Sequence, residues 1–228
     1  MRKTLIIAEM SLRELSRRRG VLLVLLAMPL AFYLARRGGE PGEPVRFVCL
    51  GLGWALSTAA LFAGNAARDI EPRLRLSGYA TPQLYLGRLL ALWAVGLALS
   101  TPYFLLIRFD LANLRYGAVA LILLVTVVVA APFGLALSAL LPRELEGMLV
   151  LLTVVAMQMM LNPDGTAARL LPFWFSREIG NYAIERDAGP VHVERGLLHA
   201  AVTLTIFFAV LAISTGVRLR RRSHLVTV

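Results

Sequence analysis

Charge is scarce in this chain of 228 residues, at 17%, where a soluble domain carries about 25%. The three histidines, His192, His199 and His224, do not fall at metal-ligand spacing, so no metal centre is expected. The single cysteine, Cys49, lies in an apolar run. No intrachain disulfide can form, and a small buried hydrophobe is its simplest role. Lysine occurs once, at Lys3, while every other basic residue of the 24 is arginine. That bias fits a GC-rich bacterial genome. A G-x-x-x-x-G-K-[ST] phosphate loop is missing, so any nucleotide that powers this protein is bound by another polypeptide.

Hydrophobic residues make up 58% of the chain. They gather in six apolar runs, at 20–35, 46–66, 89–107, 117–141, 147–161 and 197–217. A helix needs roughly 20 apolar residues to cross a bilayer, and only helices or closed barrels satisfy their backbone groups in lipid. The expectation is an all-α integral membrane protein of six spans, forming a single transmembrane domain over residues 1–228. The first and fifth runs are short for a crossing and are expected to extend into their flanks. Ionisable groups inside the runs are nearly absent, apart from Arg46 at a boundary and His199 near the start of the last run. A proton relay has nothing to run on.

The net charge of +10 does not mark a nucleic-acid surface, because most arginines flank the apolar runs. In a membrane protein such residues set orientation. With the N-terminus inside, 15 basic residues fall on the inner side and 9 on the outer. Both termini are therefore expected in the cytosol, with the chain in a bacterial inner (plasma) membrane. Residues Ser16 to Leu22 faintly resemble a twin-arginine signal, but no small-x-small cleavage site follows. Residues 1–19 read instead as an interfacial helix, with Leu5, Ala8, Leu12 and Leu15 repeating at helical spacing and Ile6, Ile7 and Met10 widening the stripe.

Asp164-Gly165-Thr166-Ala167-Ala168-Arg169 resembles the opening of the motif of membrane CDP-alcohol phosphotransferases. That pattern needs further aspartates to hold divalent cations. Here Leu161, Tyr182 and Arg186 stand at the other aspartate positions, and Glu178 replaces a glycine. The match reads as chance. A membrane enzyme on lipid-linked substrates is kept as an alternative, as is a membrane scaffold.

The stretch Arg68 to Arg88 mixes charges of both signs with Leu74, Leu76, Leu84 and Leu86 before Gly87-Arg88 opens an apolar helix. Such a mixture suits a short helix that docks on a partner. In this loop and in its overall layout the chain resembles the permease subunits of type-2 ABC exporters. Ser77 matches the serine of that family's loop, and Gly87-Arg88 falls where it carries Gly-Lys. Gly78 stands where proline is usual, and Asp69-Ile70-Glu71-Pro72 approximates the acidic lead.

The resemblance implies a cytosolic coupling helix between spans two and three, with Asp69, Glu71, Arg73, Leu74, Arg75 and Leu76 contacting a separate ABC ATPase subunit. It implies no catalysis by this chain, with ATP and Mg held by the partner. A second copy of the chain or a related permease would complete the substrate path. Spans two and five would line that path, which makes Trp54, Ser57, Thr58, Met157 and Gln158 its candidate residues. Phe173-Trp174-Phe175 is expected at a lipid–water interface. Ser176 to Arg186 is expected as a short helix capped by Ser176. In the resembled family short external helices here dip back into the membrane, which makes Phe173, Trp174 and Phe175 candidates for an outer gate.

Overall fold

The computed structural model describes residues 2–17, 19–39, 42–68, 70–141, 143–162, 165–185 and 187–223. Among them the chain forms ten α-helices and no strand. These are α1 (Arg2–Arg17), α2 (Arg19–Arg36), α3 (Glu43–Ala66), α4 (Glu71–Leu76), α5 (Thr81–Asp110), α6 (Tyr116–Leu140), α7 (Glu144–Met160), α8 (Thr166–Arg169), α9 (Phe175–Ile184) and α10 (Val191–Ser223). Four helices are long and apolar enough to cross a membrane: α3, α5, α6, and α10 over Val191–Ser214. The axis of Leu22–Arg36 turns 74° from that of Arg2–Arg17, and this bent pair brings the number to five when counted as one span. Helix α7 has 17 residues and α1 has 16.

Two helices, α5 and α10, begin well before their apolar runs. Helix α5 starts at Thr81 rather than at residue 89, because Pro82 suits a first turn and the Gln83 side chain accepts the Ala80 N–H at 3.2 Å. It continues through Pro102, where the hydroxyls of Ser100 and Thr101 both donate to the Leu97 carbonyl. Helix α10 starts at Val191 rather than at residue 197.

The centre of the bundle is the pair α3 and α6. The apolar windows of both are 78% buried, against 39% for α5 and 22% for α10. Helix–helix association in lipid relies on close packing of small residues and on interhelical hydrogen bonds. Both operate here. Gly134 of α6 lies directly on the Ser57 backbone carbonyl, leaving no room for a Cβ. One turn away, the Ser57 hydroxyl donates to the Ala130 carbonyl at 2.9 Å.

Helices α2 and α7 flank this pair. The Tyr103 hydroxyl of α5 donates to the Leu26 carbonyl, and the Tyr33 hydroxyl of α2 donates to Asp110, so α2 runs parallel to α5. Arg37 also binds Asp110, whose carboxylate raises the guanidinium pKa above its ordinary value. Helix α7 runs antiparallel to α3, with Gly147 against Leu61 at one end and Arg46 donating to the Gln158 carbonyl at 2.8 Å at the other.

Helix α1 corrects the sequence reading of its apolar stripe. The face docked on the bundle carries Thr4, Ile7 and Leu15, while Leu5, Ile6, Met10 and Leu12 are exposed. Of the expected stripe Leu15 is buried, and of the residues that widen it only Ile7. The reason is the shape of α5: Gly87 offers a flat site on which Ile7 and the Thr4 carbonyl rest, at 2.7 and 2.9 Å from where a Cβ would stand. Leu5 and Leu12 stand open on one flank of the docked face and Ile6 and Met10 on the other.

Candidate functional site

Two regions gather the residues singled out by the sequence. The first is the end of the bundle where α3 stops and α5 starts. Asp69 lies outside the described residues. From Glu71, α4 makes its single short run, and none of its residues is buried. A helix this short does not hold itself in water, since nucleation consumes more than so few hydrogen bonds return. Its neighbours hold it. The Glu71 N–H bonds the Ala67 carbonyl at 2.9 Å, which carries the turn of α3 into α4.

At its far end the Gly78 N–H reaches the Arg75 carbonyl at 3.0 Å and the Tyr79 N–H reaches the Leu74 carbonyl at 3.1 Å. Gly78 takes φ +81°. This is a Schellman cap, which needs a residue free to adopt the left-handed conformation. Glycine in place of the resembled family's proline is therefore what closes the helix here. The Lys3 ammonium of α1 donates to the Gly78 carbonyl at 2.8 Å and lies 5.4 Å from the Tyr79 ring centre. Helices α1 and α4 are one surface.

On that surface Arg73 and Leu76 are exposed, and Glu71, Leu74 and Arg75 are partly covered. Leu76 is 91% exposed and Ile70 next to the helix is 51% exposed. The arrangement offers apolar side chains between charges of both signs. Arg68 anchors the approach, donating to the Leu141 carbonyl at the end of α6 at 2.8 Å.

The second region is a stripe of α3 beside the face that meets α6, adjoining Leu61 and its contact with α7. Trp54 and Thr58 lie one turn apart, and Asn65 two turns further on the same face. The Trp54 indole N–H, the Thr58 hydroxyl and both amide atoms of Asn65 are covered yet have no hydrogen-bond partner among the described residues. Ser57 does not belong with them, because it is buried and bonded to α6. On α7, Met157 is exposed, whereas Gln158 is buried and its side-chain carbonyl accepts the Phe173 N–H at 3.3 Å. The five path candidates therefore divide. Trp54, Thr58 and Met157 remain available, while Ser57 and Gln158 are occupied in holding helices together.

The aromatic triplet is also placed differently from its expected seat in the lipid–water interface. Phe173 and Phe175 are 1% and 0% exposed, and Trp174 alone is partly open. The Phe173 ring rests on Gly53 of α3 and meets Phe133 of α6 edge-on at 6.0 Å, while Phe133 stacks on Phe207 of α10 at 4.9 Å. The segment after α7 folds back into the bundle, and its rings fill the gap between α3, α6 and α10. Ser176 is a second correction. It is not the cap of α9 but a buried residue of the first turn, donating to the Phe173 carbonyl at 2.7 Å. Helix α9 stops at Ile184, short of the expected residue 186.

Polar contacts fix this folded-back segment. The Arg115 guanidinium donates to the Tyr182 and Ala188 carbonyls at 3.2 and 3.1 Å and lies 4.1 Å from the Tyr182 ring centre. Glu178 holds His192 at 3.0 Å. The His199 ring bonds the Arg169 carbonyl at 3.0 Å and leans on Trp174 at 5.2 Å between centres. No group of three or more His, Cys, Asp or Glu residues that could hold a metal exists among the described residues. Asp164, on which the phosphotransferase resemblance depends, lies outside them.

Sequence reasoning missed Asn65 and Arg88. Both look like boundary residues in the sequence, and only packing reveals that the Asn65 amide is covered and unpaired and that Arg88 is 7% exposed. No protein-family model matches the chain, and no curated protein matches it.

Proposed function

We propose that the chain is the membrane-spanning permease subunit of an ATP-driven exporter, and not an enzyme itself. It pairs with a second copy of itself or a related permease in a bacterial plasma membrane. A separate ATPase subunit holds ATP and Mg and docks on the α1–α4 surface. The observation that carries the reading is α4: a capped helix with no buried residue, presenting Leu76 to solvent between two candidate spans. An exposed apolar side chain on a helix that its neighbours hold rigid suits a partner's groove. Glu71, Arg73 and Arg75 set the charge pattern around it, with Asp69 preceding them.

Six spans fit this role. At 1.5 Å per residue α2 and α7 reach about 27 and 26 Å, close to the hydrocarbon thickness. The Tyr103 and Tyr33 ties hold α2 along α5, and the Gly147 and Arg46 contacts hold α7 along α3. The excess of basic residues on the side of α1 and α4 supports a cytosolic position for both termini. The substrate path then runs beside Trp54, Thr58, Asn65 and Met157, with Trp174 at the outer gate and Phe173 and Phe175 anchoring it. An apolar lining with few polar groups suits a lipid, drug-like or hydrophobic peptide cargo better than a small ion.

The test is affinity purification of the tagged full chain in mild detergent with an ATP analogue, followed by mass spectrometry. Recovery of a nucleotide-binding ATPase that is lost on Glu71→Arg and on Leu76→Ser, with the permease still folded, is the expected result. Absence of any ATPase, or its retention in both variants, overturns the proposal. A transferase activity abolished by Asp164→Ala would instead favour the enzyme reading.

A further inference from the structure

A groove of about 500 Å³ lies between α1, α3, α4 and α5 at the end of the bundle where α4 sits. Its size falls in the range of small-molecule sites. Ala59 and Ala63 of α3 and Leu92 of α5 form an apolar floor. The polar side is cationic. Arg17 and Arg88 both line the groove, and neither has a hydrogen bond or ion pair to an acid among the described residues. Arg13 and Glu14 share the rim, Arg13 being paired with Glu9.

Arg88 is the unusual group. It is 7% exposed, and its one close neighbour of opposite electrostatic character is the Tyr85 ring, 5.7 Å from the guanidinium. The carboxylates of Glu14 and Glu71 act on it only through space. A buried guanidinium loses much of its hydration, and a ring at that distance returns only a small part of what is lost. The imbalance calls for an anion in the groove. The floor beneath it has no polar group to offer and matches a hydrocarbon chain, so the fitting occupant carries both.

We propose that this groove seats one anionic phospholipid of the adjacent leaflet, its phosphate on Arg88 and Arg17 and an acyl chain along Ala59, Ala63 and Leu92. Two arginines present forked donors to phosphate oxygens, a geometry that lysine does not match. Bound there, the lipid bridges α1 to α3 and α5 next to α4 and stiffens that surface. The inference needs no second protein and stands apart from the exporter reading.

The experiment is a native mass spectrometry titration of the full chain in detergent with phosphatidylglycerol, and in parallel with phosphatidylcholine of the same chains. Phosphatidylglycerol should bind at least about tenfold more tightly, and Arg88→Gln should remove about that factor while leaving phosphatidylcholine unchanged. Ala63→Phe, which fills the floor and keeps both arginines, should weaken phosphatidylglycerol comparably. It keeps the test open, together with Arg17→Gln, should Arg88→Gln fail to fold. Millimolar inorganic phosphate should not displace the lipid. Undiminished affinity in Arg88→Gln or in Ala63→Phe overturns the proposal. So does displacement by inorganic phosphate alone, or an equal loss in Arg143→Gln, an exposed arginine at the same end but outside the groove.

Discussion

Helix α3 has two faces built from similar residues and treated in opposite ways. Toward α6 it presents Ser57, Ala60 and Gly64, where the serine is bonded to Ala130 and the backbones meet at Gly134. On the adjoining stripe it presents Trp54, Thr58 and Asn65, whose polar atoms are covered but bonded to nothing described. Leaving a buried polar group unpaired costs about 1–3 kcal/mol. A helix that satisfies one face and not the other is asymmetric: one side is bonded to α6, and the other keeps covered polar groups without partners among the described residues. Small neutral polar residues in a span are thus ambiguous until the neighbouring helix is known.

Gly134→Leu attacks the satisfied face most directly. Its side chain would be driven into the Ser57 carbonyl, and a loss of about 3 kcal/mol is expected, seen as a collapsed folded yield and a lower Tm in detergent. Phe173→Ala opens a cavity between α3, α6 and α10. Its expected loss is also about 3 kcal/mol, and a Tm change near zero would put the ring back at the lipid interface. Ser57→Ala removes one interhelical hydrogen bond, for which about 0.6 kcal/mol is expected in a membrane protein. On the unpaired face Thr58→Val should leave Tm unchanged or slightly raised, within about 0.5 kcal/mol, because no bond is lost. A marked drop in Tm there would erase the contrast between the two faces. If the exporter reading holds, the same variant should still alter transport.

The apolar runs located the long helices well, since a bilayer imposes length and hydropathy directly on sequence. Polar helix starts were less legible: the first turns of α5, from Thr81, carry Gln83 and Arg88 and so fall outside any hydropathy window. The short helix after α3 was foreseeable from its mixed pattern, and Gly78 was the local signal for where it stops. Phe173 and Phe175 misled, because aromatic rings suit both a lipid–water interface and a protein core, and composition does not separate the two. Ser176 misled in the same way, since a serine near a helix start serves as a cap or bonds within the first turn according to where the chain enters.

The sequence alone determined that this is a helical membrane protein: its 58% hydrophobic content, segregated into long runs with arginine at their margins, leaves no other way to satisfy backbone groups in lipid. It also pointed to a short helix between α3 and α5, whose cap the structure supplied. The tertiary structure alone decided which face of each helix meets protein. Inside a bilayer both surroundings are apolar, so hydropathy carries no information about facing, and shape complementarity at Gly87 and Gly134 makes the choice. That choice is what left Trp54, Thr58 and Asn65 unpaired and placed Arg88 in a groove.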